Sequence, residues 1–376
     1  GAVGRIKQFP IGSRKLKKKY IRRLEVMRSA YQKDDTPLLQ QLEQESVNAC
    51  AQAKTLQRIA NCHIFTNTTT EYFPLGEQLL PRLLADLRKA ETFIFMEYFI
   101  IEEGKFWDPI LQILTQKAAA GVDVKVVYDD VGCMLTLPGN YDKLLRRLGI
   151  DAVPFSKLRG NADSEFNNRS HRKITVIDGK IGYTGGINLA DEYINAIVKH
   201  GHWKDTAVRL YGKGVFSLTG MFLSAWDFFY GMETDISLYA PTESVTASGF
   251  VQPFASTPDS SETIGENMYL NLINKARNYV YLTTPYLIID NNLVTALTMA
   301  AESGIDVRII TPGIPDKKIV FFLTRSYYRV LVDAGVKIFE SRQHINGTGT
   351  WIECSPAFNT AMPVTVKKLT LTLLDE

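Results

Sequence analysis

Two side chains suited to phosphate chemistry, His171 and Lys173, stand two residues apart in the middle of the chain, and Asp178 follows five residues later. On an extended chain, residues two apart project from the same face, so the imidazole and the ammonium would lie side by side while Arg172 points away. Two such groups facing one way favour an anionic substrate, most simply a phosphate. The imidazole can attack phosphorus, and the ammonium can neutralise charge on the phosphoryl oxygens.

A β-hairpin is predicted to hold these residues in place. The β-branched run 174–177 predicts a strand, the Asp-Gly pair after it predicts a turn, and Ile181 begins the return strand. Beyond it, Gly185 and Gly186 let the backbone approach a bound anion closely, and Asn188 can donate a further hydrogen bond. Asp178 belongs to the same catalytic set but falls at the hairpin end, so its expected work is structural or to orient a histidine.

Weaker candidates lie around this run. Glu97 stands inside an apolar strand, where an unpaired charge is costly, so it either orients an imidazole or forms an ordinary buried ion pair. Asp205 is a candidate for supporting the catalytic groups from behind, and the nearby His202 is expected to be structural. Arg169 and Asn167, just before the hairpin, are candidates for binding an anionic headgroup.

The charge of the chain is unevenly placed. The formal net charge is +3, but residues 1–33 carry 11 Lys/Arg and one acid, so this segment is +10 and the remainder is −7. Residues 12–33 predict a basic helix with an apolar stripe, which suits an anionic lipid surface. A solvated tether and a nucleic-acid patch are the alternatives for this segment.

Other sequence features bound the class of protein. The four cysteines fit neither a disulfide framework nor a Cys-x-x-Cys metal site and suit a reducing compartment. No metal-ligand set or nucleotide-binding glycine loop occurs, so no cofactor is predicted. No run of 18 apolar residues predicts a membrane-spanning helix. Because the chain begins at Gly1 rather than Met, we expect the natural start to lie upstream.

An α/β rhythm with an internal repeat follows from about residue 60. Strands are predicted near 62–66, 92–99, 122–128, 150–155 and 204–211, and helices near 76–90, 107–120, 141–148 and 214–230, the last an aromatic-rich core helix. Two segments then return in order: 120–127 is echoed at 303–310 with an offset of 183, and 148–155 is echoed at 334–339 with an offset of 186. The chain is therefore predicted to be a tandem duplication.

The spacing His-x-Lys-x4-Asp-x6-Gly-Gly-x-Asn resembles the HKD signature of the phospholipase D superfamily. The wider sequence, for example Thr-Pro-Tyr-Leu-Ile-Ile-Asp at 284–290 and Ile-Pro-Asp-Lys-Lys-Ile-Val at 314–320, resembles its bacterial cardiolipin synthases. The resemblance implies an α/β fold of two repeats, each a mixed sheet flanked by helices, that meet at a central active-site cleft. It also implies a phosphohistidine on one histidine and a second histidine that protonates the leaving alcohol.

On this resemblance we divide the chain into a basic membrane-proximal segment (1–55), a first repeat with the HKD motif (56–232), a linker (233–249) and a second repeat (250–376). The offset places a second signature near 354–357, where the sequence has Cys-Ser-Pro-Ala, and His344 lacks the lysine and aspartate that it would need. Three explanations compete: a stretch absent from this sequence, an altered variant of the protein, or a second subunit of a homodimer that supplies the missing half-site. Of these three explanations we favour the first.

The resemblance implies a cardiolipin synthase that transfers a phosphatidyl group between two phosphatidylglycerol molecules and releases glycerol. It implies work at the cytoplasmic face of the cell membrane, with upstream membrane helices outside this sequence and no nucleic-acid partner. Other phospholipase D-type enzymes, including phosphatidylserine synthases and nucleases, share the signature, and a catalytically silent membrane-binding homologue is the non-enzyme alternative.

Overall fold

The structure, a computed structural model, describes residues 34–155, 170–199, 201–241, 245–255, 263–341, 344–345 and 351–354. The predicted basic helix at 12–33 therefore lies outside the described residues. Within the described ranges, no helix is both long and apolar enough to cross a bilayer.

The first half of the chain builds a seven-stranded mixed sheet. In chain order, its elements are α1 (Thr36–Glu45), α2 (Val47–Ala60), β1 (Thr68–Phe73), α3 (Gly76–Leu87), β2 (Phe93–Tyr98), α4 (Trp107–Ala119), β3 (Asp123–Asp129), α5 (Tyr141–Arg147), β4 (Asp151–Phe155), β5 (Ile174–Ile177), β6 (Ile181–Gly185), β7 (Trp203–Lys204), β8 (Ala207–Gly212) and α6 (Val215–Tyr230). The order across the sheet is β1-β8-β6-β5-β2-β3-β4.

Both faces of this sheet are covered, which explains the nearly continuous apolar runs of β2 and β3. On one face, Ile94 and Val126 pack in a buried cluster with residues of α3, α4 and α5. On the other, Phe95 stacks on Phe222 of α6 with ring centroids 4.8 Å apart. The prediction that the aromatic-rich helix is a core helix is confirmed.

The predicted hairpin is present, and it fixes where one edge of the sheet lies. Strand β5 pairs antiparallel with both β6 and β2, with Ile174 opposite Thr184 and Glu97. Because β2 and β3 are parallel, the loops after β2, β3 and β6 and the segment before β5 all lie at one edge. We call this edge the HKD edge, since His171 and Lys173 directly precede β5.

The second half repeats the central strands. In chain order, its elements are α7 (Ile264–Lys275), β9 (Tyr279–Thr283), α8 (Asn291–Glu302), β10 (Asp306–Pro312), α9 (Lys318–Ser326), α10 (Tyr328–Asp333), β11 (Lys337–Ser341), β12 (His344–Ile345) and β13 (Trp351–Cys354). The order β11-β10-β9-β13 matches β4-β3-β2-β5, with β13 antiparallel to β9 as β5 is to β2. The predicted duplication is confirmed at the level of strand order.

The register of β13 corrects the expected position of the second signature. Trp351 lies opposite Thr283 of β9, as Ile174 lies opposite Glu97 of β2, so the offset here is 177 rather than 183 to 186. The cause is a shorter connection: 18 residues separate β4 from β5, but nine separate β11 from β13. By this count the sequence positions matching His171 and Lys173 are 348 and 350, both threonine, and they lie outside the described residues.

The first predicted strand, near 62–66, is wrong. In this stretch Phe65 forms only an isolated antiparallel bridge with Val251, and the edge strand is β1, after Asn67 turns the chain with a φ of 53°. The apolar run that suggested a strand is instead buried connecting chain, because Ile64 and Phe65 pack inward after α2. The strand predicted at 204–211 is β7 and β8, interrupted at 205–206.

Several contacts join the two halves, among them a strand pairing and a helix packing. Strand β12 pairs parallel with β7, so Ile345 lies beside Lys204. Helix α2 packs on the second half, where Leu56 joins the buried cluster of Met268 and Leu272. The proposed boundaries at residues 55, 232 and 249 stay a prediction.

Candidate active site

His171 and Lys173 are brought together against one aromatic ring. The imidazole meets the ring of Phe99 edge-on, with centroids 4.6 Å apart, and the Lys173 ammonium lies 5.5 Å from the same ring centroid. Lys173 is buried, and its Nζ donates to the main-chain oxygen of His171 at 2.5 Å. The face of an aromatic ring attracts an ammonium, so this contact holds the Lys173 amine in one place beside His171. Phe99, directly after β2, was not among the predicted site residues. The one sequence signal for it is that it follows a strand predicted to end near the catalytic residues.

Glu97 forms the ion pair that was one of its two predicted roles. Its carboxylate is fully buried and lies 3.0 Å from Nη2 of Arg172, and it also accepts a hydrogen bond from the hydroxyl of Ser170. Arg172 also donates to the main-chain oxygen of Met221 at 3.3 Å on α6. The pair therefore pins the segment before β5 against the sheet. Arg172 thus points toward Glu97 and Met221 and away from His171 and Lys173, as the alternation of an extended chain predicts.

Asp205 lies buried behind the site and packs on Gly186. One carboxylate oxygen accepts from the backbone N–H of Thr206 at 2.7 Å. Burial raises the pKa of Asp205 to about 8, and the hydrogen bond from Thr206 and the positive charge of Lys173 oppose that rise. A Cβ placed on Gly186 would stand 2.2 Å from Oδ1 of Asp205. A glycine is therefore required at position 186 because the Asp205 side chain, from the connection between β7 and β8, occupies the space of a Cβ. The sequence motif alone did not reveal this reason.

The substitution Gly186→Ala should therefore disturb the site selectively. We expect a lower melting temperature and lower activity, because a methyl group inside 3 Å of a buried carboxylate forces Asp205 or the β6 end to move. Gly139→Ala is the matched control, since no atom lies within 4 Å of a Cβ built there. Thermal unfolding of both variants checks this; equal, unchanged melting curves would contradict it.

Asn188 is more deeply engaged than predicted. Its side-chain oxygen accepts from the backbone N–H of Ile100 at 2.9 Å, and its side-chain nitrogen donates to the hydroxyl of Tyr193 at 2.9 Å. The side chain is fully buried. The amide therefore links the loops after β2 and β6, and the direct hydrogen bond from Asn188 to a phosphate stays a prediction. Tyr193 was not predicted as part of this network.

Asp178 lies at the turn end of the hairpin, away from the HKD edge. Its carboxylate accepts from three consecutive backbone N–H groups, of Glu91, Thr92 and Phe93, and from the Thr92 hydroxyl, at 2.8 to 3.2 Å. Partial burial acts to raise the pKa of Asp178, but the hydrogen bonds outweigh it and hold that pKa below its ordinary value. The geometry supports the structural alternative for Asp178 rather than contact with substrate.

The remaining candidates separate into placed and unplaced residues. Arg169 and Asn167 lie outside the described residues. His202 Nε2 lies 3.4 Å from a carboxylate oxygen of Glu77 at a half-exposed position, a structural pairing. The described residues thus assemble one half-site from His171 and Lys173, with Phe99, Asn188 and Asp205 around it.

Comparison with known proteins agrees with this division into two halves. Residues 83–200 and 269–349 match the family model described as cardiolipin synthase, PLD-like domain. The cardiolipin synthase of Geobacillus kaustophilus is 37% identical over 286 residues, which are 75% of this chain and 57% of that protein. An uncharacterized protein of Streptococcus mutans is 44% identical over 331 residues, 88% of this chain and 71% of that protein. The chain thus spans little more than half the length of the Geobacillus enzyme.

A solved structure shows the same fold at low identity. The phosphatidylserine synthase of Haemophilus influenzae superposes with a TM-score of 0.58 and 14% identity, covering 81% of this chain and 80% of that one. The structural similarity concerns the fold. The family model matches both halves, and the first half places the His-Lys pair at the HKD edge. This chain therefore belongs to the cardiolipin synthase family of PLD-like proteins, within the phospholipase D superfamily.

Proposed function

We propose that the protein acts as a cardiolipin synthase: it transfers a phosphatidyl group from one phosphatidylglycerol to another and releases glycerol. The observation that carries this proposal is the placement of His171 and Lys173 against Phe99 at the HKD edge. The pair offers a nucleophile and a fixed positive charge within one small space, which is what phosphodiester exchange requires. The cardiolipin synthase relatives favour this lipid over other phosphodiesters.

The reaction proceeds in two balanced steps. In the first, an imidazole nitrogen of His171 attacks phosphorus, the bond from phosphorus to the glycerol oxygen breaks, and glycerol leaves with a proton from a general acid. In the second, the hydroxyl of another phosphatidylglycerol gives its proton to the same group and displaces the histidine. Lys173 neutralises charge on the phosphoryl oxygens in both steps. Asn188 positions the loop after β2, and Asp205 positions Lys173.

The general acid must come from elsewhere, because the sequence positions that match His171 and Lys173 in the second half are threonines, which do not titrate near neutral pH. A stretch absent from this sequence, the explanation favoured above, or a second subunit, as in a homodimer built from two half-sites, is the proposed source of this group. The surface of action is the anionic, cytoplasmic face of the cell membrane, with residues 12–33 as an electrostatic contact.

Vesicles of phosphatidylglycerol test this proposal directly. In the presence of a chelator, we expect glycerol to be released and cardiolipin to form. Mass spectrometry detects both products. If two subunits complete the site, specific activity rises with protein concentration across the range where dimers form. Chelator-resistant, salt-sensitive cleavage of DNA without glycerol release would instead indicate a nuclease. Vesicle binding without any product would indicate the silent homologue.

A further inference from the structure

Exposed apolar side chains occur in the loops of the first half that border the HKD edge. Leu135 follows β3 and is 96% exposed, with Met134 beside it also exposed. Val198 follows β6 and is 82% exposed, with Ile197 beside it. Because β3 and β6 both end at the HKD edge, the loops that carry these two pairs begin at the same edge of the sheet as His171. Pairs of adjacent exposed aliphatic side chains indicate contact with an apolar partner better than scattered single residues do.

The second half carries a larger apolar surface at the corresponding edge. Helix α9 begins after β10, at the edge of the second sheet that corresponds to the HKD edge. It packs inward through Thr324, whose hydroxyl accepts from the backbone N–H of Leu287 at 3.0 Å. Its opposite face bears Ile319, Phe322 and Leu323, spaced by three and four residues and therefore adjacent on the helix. Ile319 is 78% exposed and Phe322 is 70% exposed.

The two edges lie close to one another. Tyr286, in the loop after β9, is near enough to Tyr193, in the loop after β6, to be among the groups that act on its pKa; burial is the main cause that raises it, followed by the charge of Asp205. Strands β7 and β12 pair directly beyond these loops. The apolar side chains of the two halves thus lie at neighbouring edges, and we call them the apolar rim: 134–135, 197–198 and the outward face of α9.

We infer that the apolar rim inserts into the surface of an anionic phospholipid bilayer and that the active site opens toward it. Lys317 and Lys318 stand at the start of helix α9 beside Asp316, whereas Arg325 near its end is paired with Glu340. A short helix with large apolar residues on one face and lysines at its border suits the boundary between headgroups and acyl chains. Separate protrusions from two loops and one helix suit a fluid surface, whereas a peptide partner needs a continuous groove.

The inference rests on the proposed function in one respect: a lipid substrate places the scissile phosphate at headgroup depth, so the site that attacks it must face the bilayer. Its test uses binding and not turnover, so the two proposals fail separately. His171→Ala should bind vesicles as the unaltered protein does. If no cardiolipin is ever formed but the rim still inserts, the inference stands and the proposed reaction falls.

Depth of insertion is the decisive measurement. Phe322→Trp is compared with Leu238→Trp on vesicles with about 30 mol% phosphatidylglycerol, using lipids brominated on their acyl chains as fluorescence quenchers. Leu238 is a matched control because it is 78% exposed but lies beside Tyr239, which packs on Phe93 at the opposite edge of the sheet. Of the four native tryptophans, Trp107, Trp203 and Trp226 are buried. Relative to the unaltered protein, we expect additional quenching in the Phe322→Trp variant only.

Binding strength gives the second readout. In about 0.5 M NaCl, where screening suppresses the contribution of the basic segment, the double variant Phe322→Ser/Leu323→Ser should lower the vesicle partition coefficient at least about tenfold. Leu238→Ser should leave it unchanged. Circular dichroism of both variants checks that the fold is retained, and the quenching experiment needs no destabilising substitution.

Two results would overturn the inference. If bromolipid causes no additional quenching in the Phe322→Trp variant although the protein sediments with vesicles at low salt, the basic segment alone holds it there. If the indole introduced by Phe322→Trp is shielded without lipid, and Phe322→Ser/Leu323→Ser converts a dimer to a monomer in light scattering, the face of α9 is an interface with a second copy.

Discussion

Alanine in place of His171 is expected to lower glycerol release from phosphatidylglycerol vesicles at least about 10³-fold, because the change removes the group proposed to form the covalent intermediate. The fold should be unaffected, since His171 lies outside β5 and is only partly buried. The measurement is the initial rate of glycerol release at a fixed vesicle concentration, together with the unfolding curve of the variant.

His202→Ala is the control for removal of a histidine from the same region. His202 is half-exposed and pairs with Glu77, so its loss should change the rate by no more than about twofold. A phosphatidyl adduct detected by mass spectrometry on the peptide that contains His171, and absent in the alanine variant, would support the covalent step. Retention of more than about a tenth of the activity by His171→Ala would exclude His171 as the nucleophile.

The second large effect concerns stability. Asp178→Ala removes a carboxylate that accepts from three backbone N–H groups and one hydroxyl, and it places alanine at a φ of 51°, in the left-handed region. We expect the free energy of unfolding to fall by about 2–4 kcal/mol, a range that allows for solvent screening at this half-buried site. Urea unfolding followed by circular dichroism measures this difference.

Asp178→Asn separates the charge from the backbone conformation, because asparagine tolerates the left-handed region. This variant should lose less stability than alanine does and should keep its activity at temperatures where it is folded. Loss of activity with an unchanged unfolding curve would show that Asp178 acts on the reaction, contrary to the geometry.

The lowered pKa of Asp178 makes the stability of the protein depend on pH. Burial opposes ionisation, but the hydrogen bonds from residues 91–93 outweigh it, so the folded-state pKa lies below the unfolded-state value. The stabilisation is therefore complete above about pH 4, the ordinary carboxyl range, and is lost as the pH falls through the lowered pKa. The stability difference between the unaltered protein and Asp178→Asn should narrow as the pH is lowered below about 4. A difference that is constant between about pH 3 and pH 7 would contradict this.

Much of the half-site could be predicted from the sequence because its determinants are local. The β-branched run 174–177, the Asp-Gly turn and the two-residue spacing of His171 and Lys173 specify a hairpin from neighbouring residues alone. The duplication was likewise visible, since both copies keep the Gly-x-Asp-Val pattern that begins β3 and β10. The covered sheet and the core helix α6 followed from continuous apolar runs.

Tertiary structure decided what depends on residues far apart in the chain. Glu97 had two predicted roles, and only the packing of the segment before β5 onto β2 gave it Arg172 as its partner. Gly186 faces Asp205 from a neighbouring connection, and Asn188 ties together loops 88 residues apart. Local periodicity indicates which face of an element a residue occupies, but not which distant residue contacts it there. The partners in a buried network therefore depend on the tertiary packing.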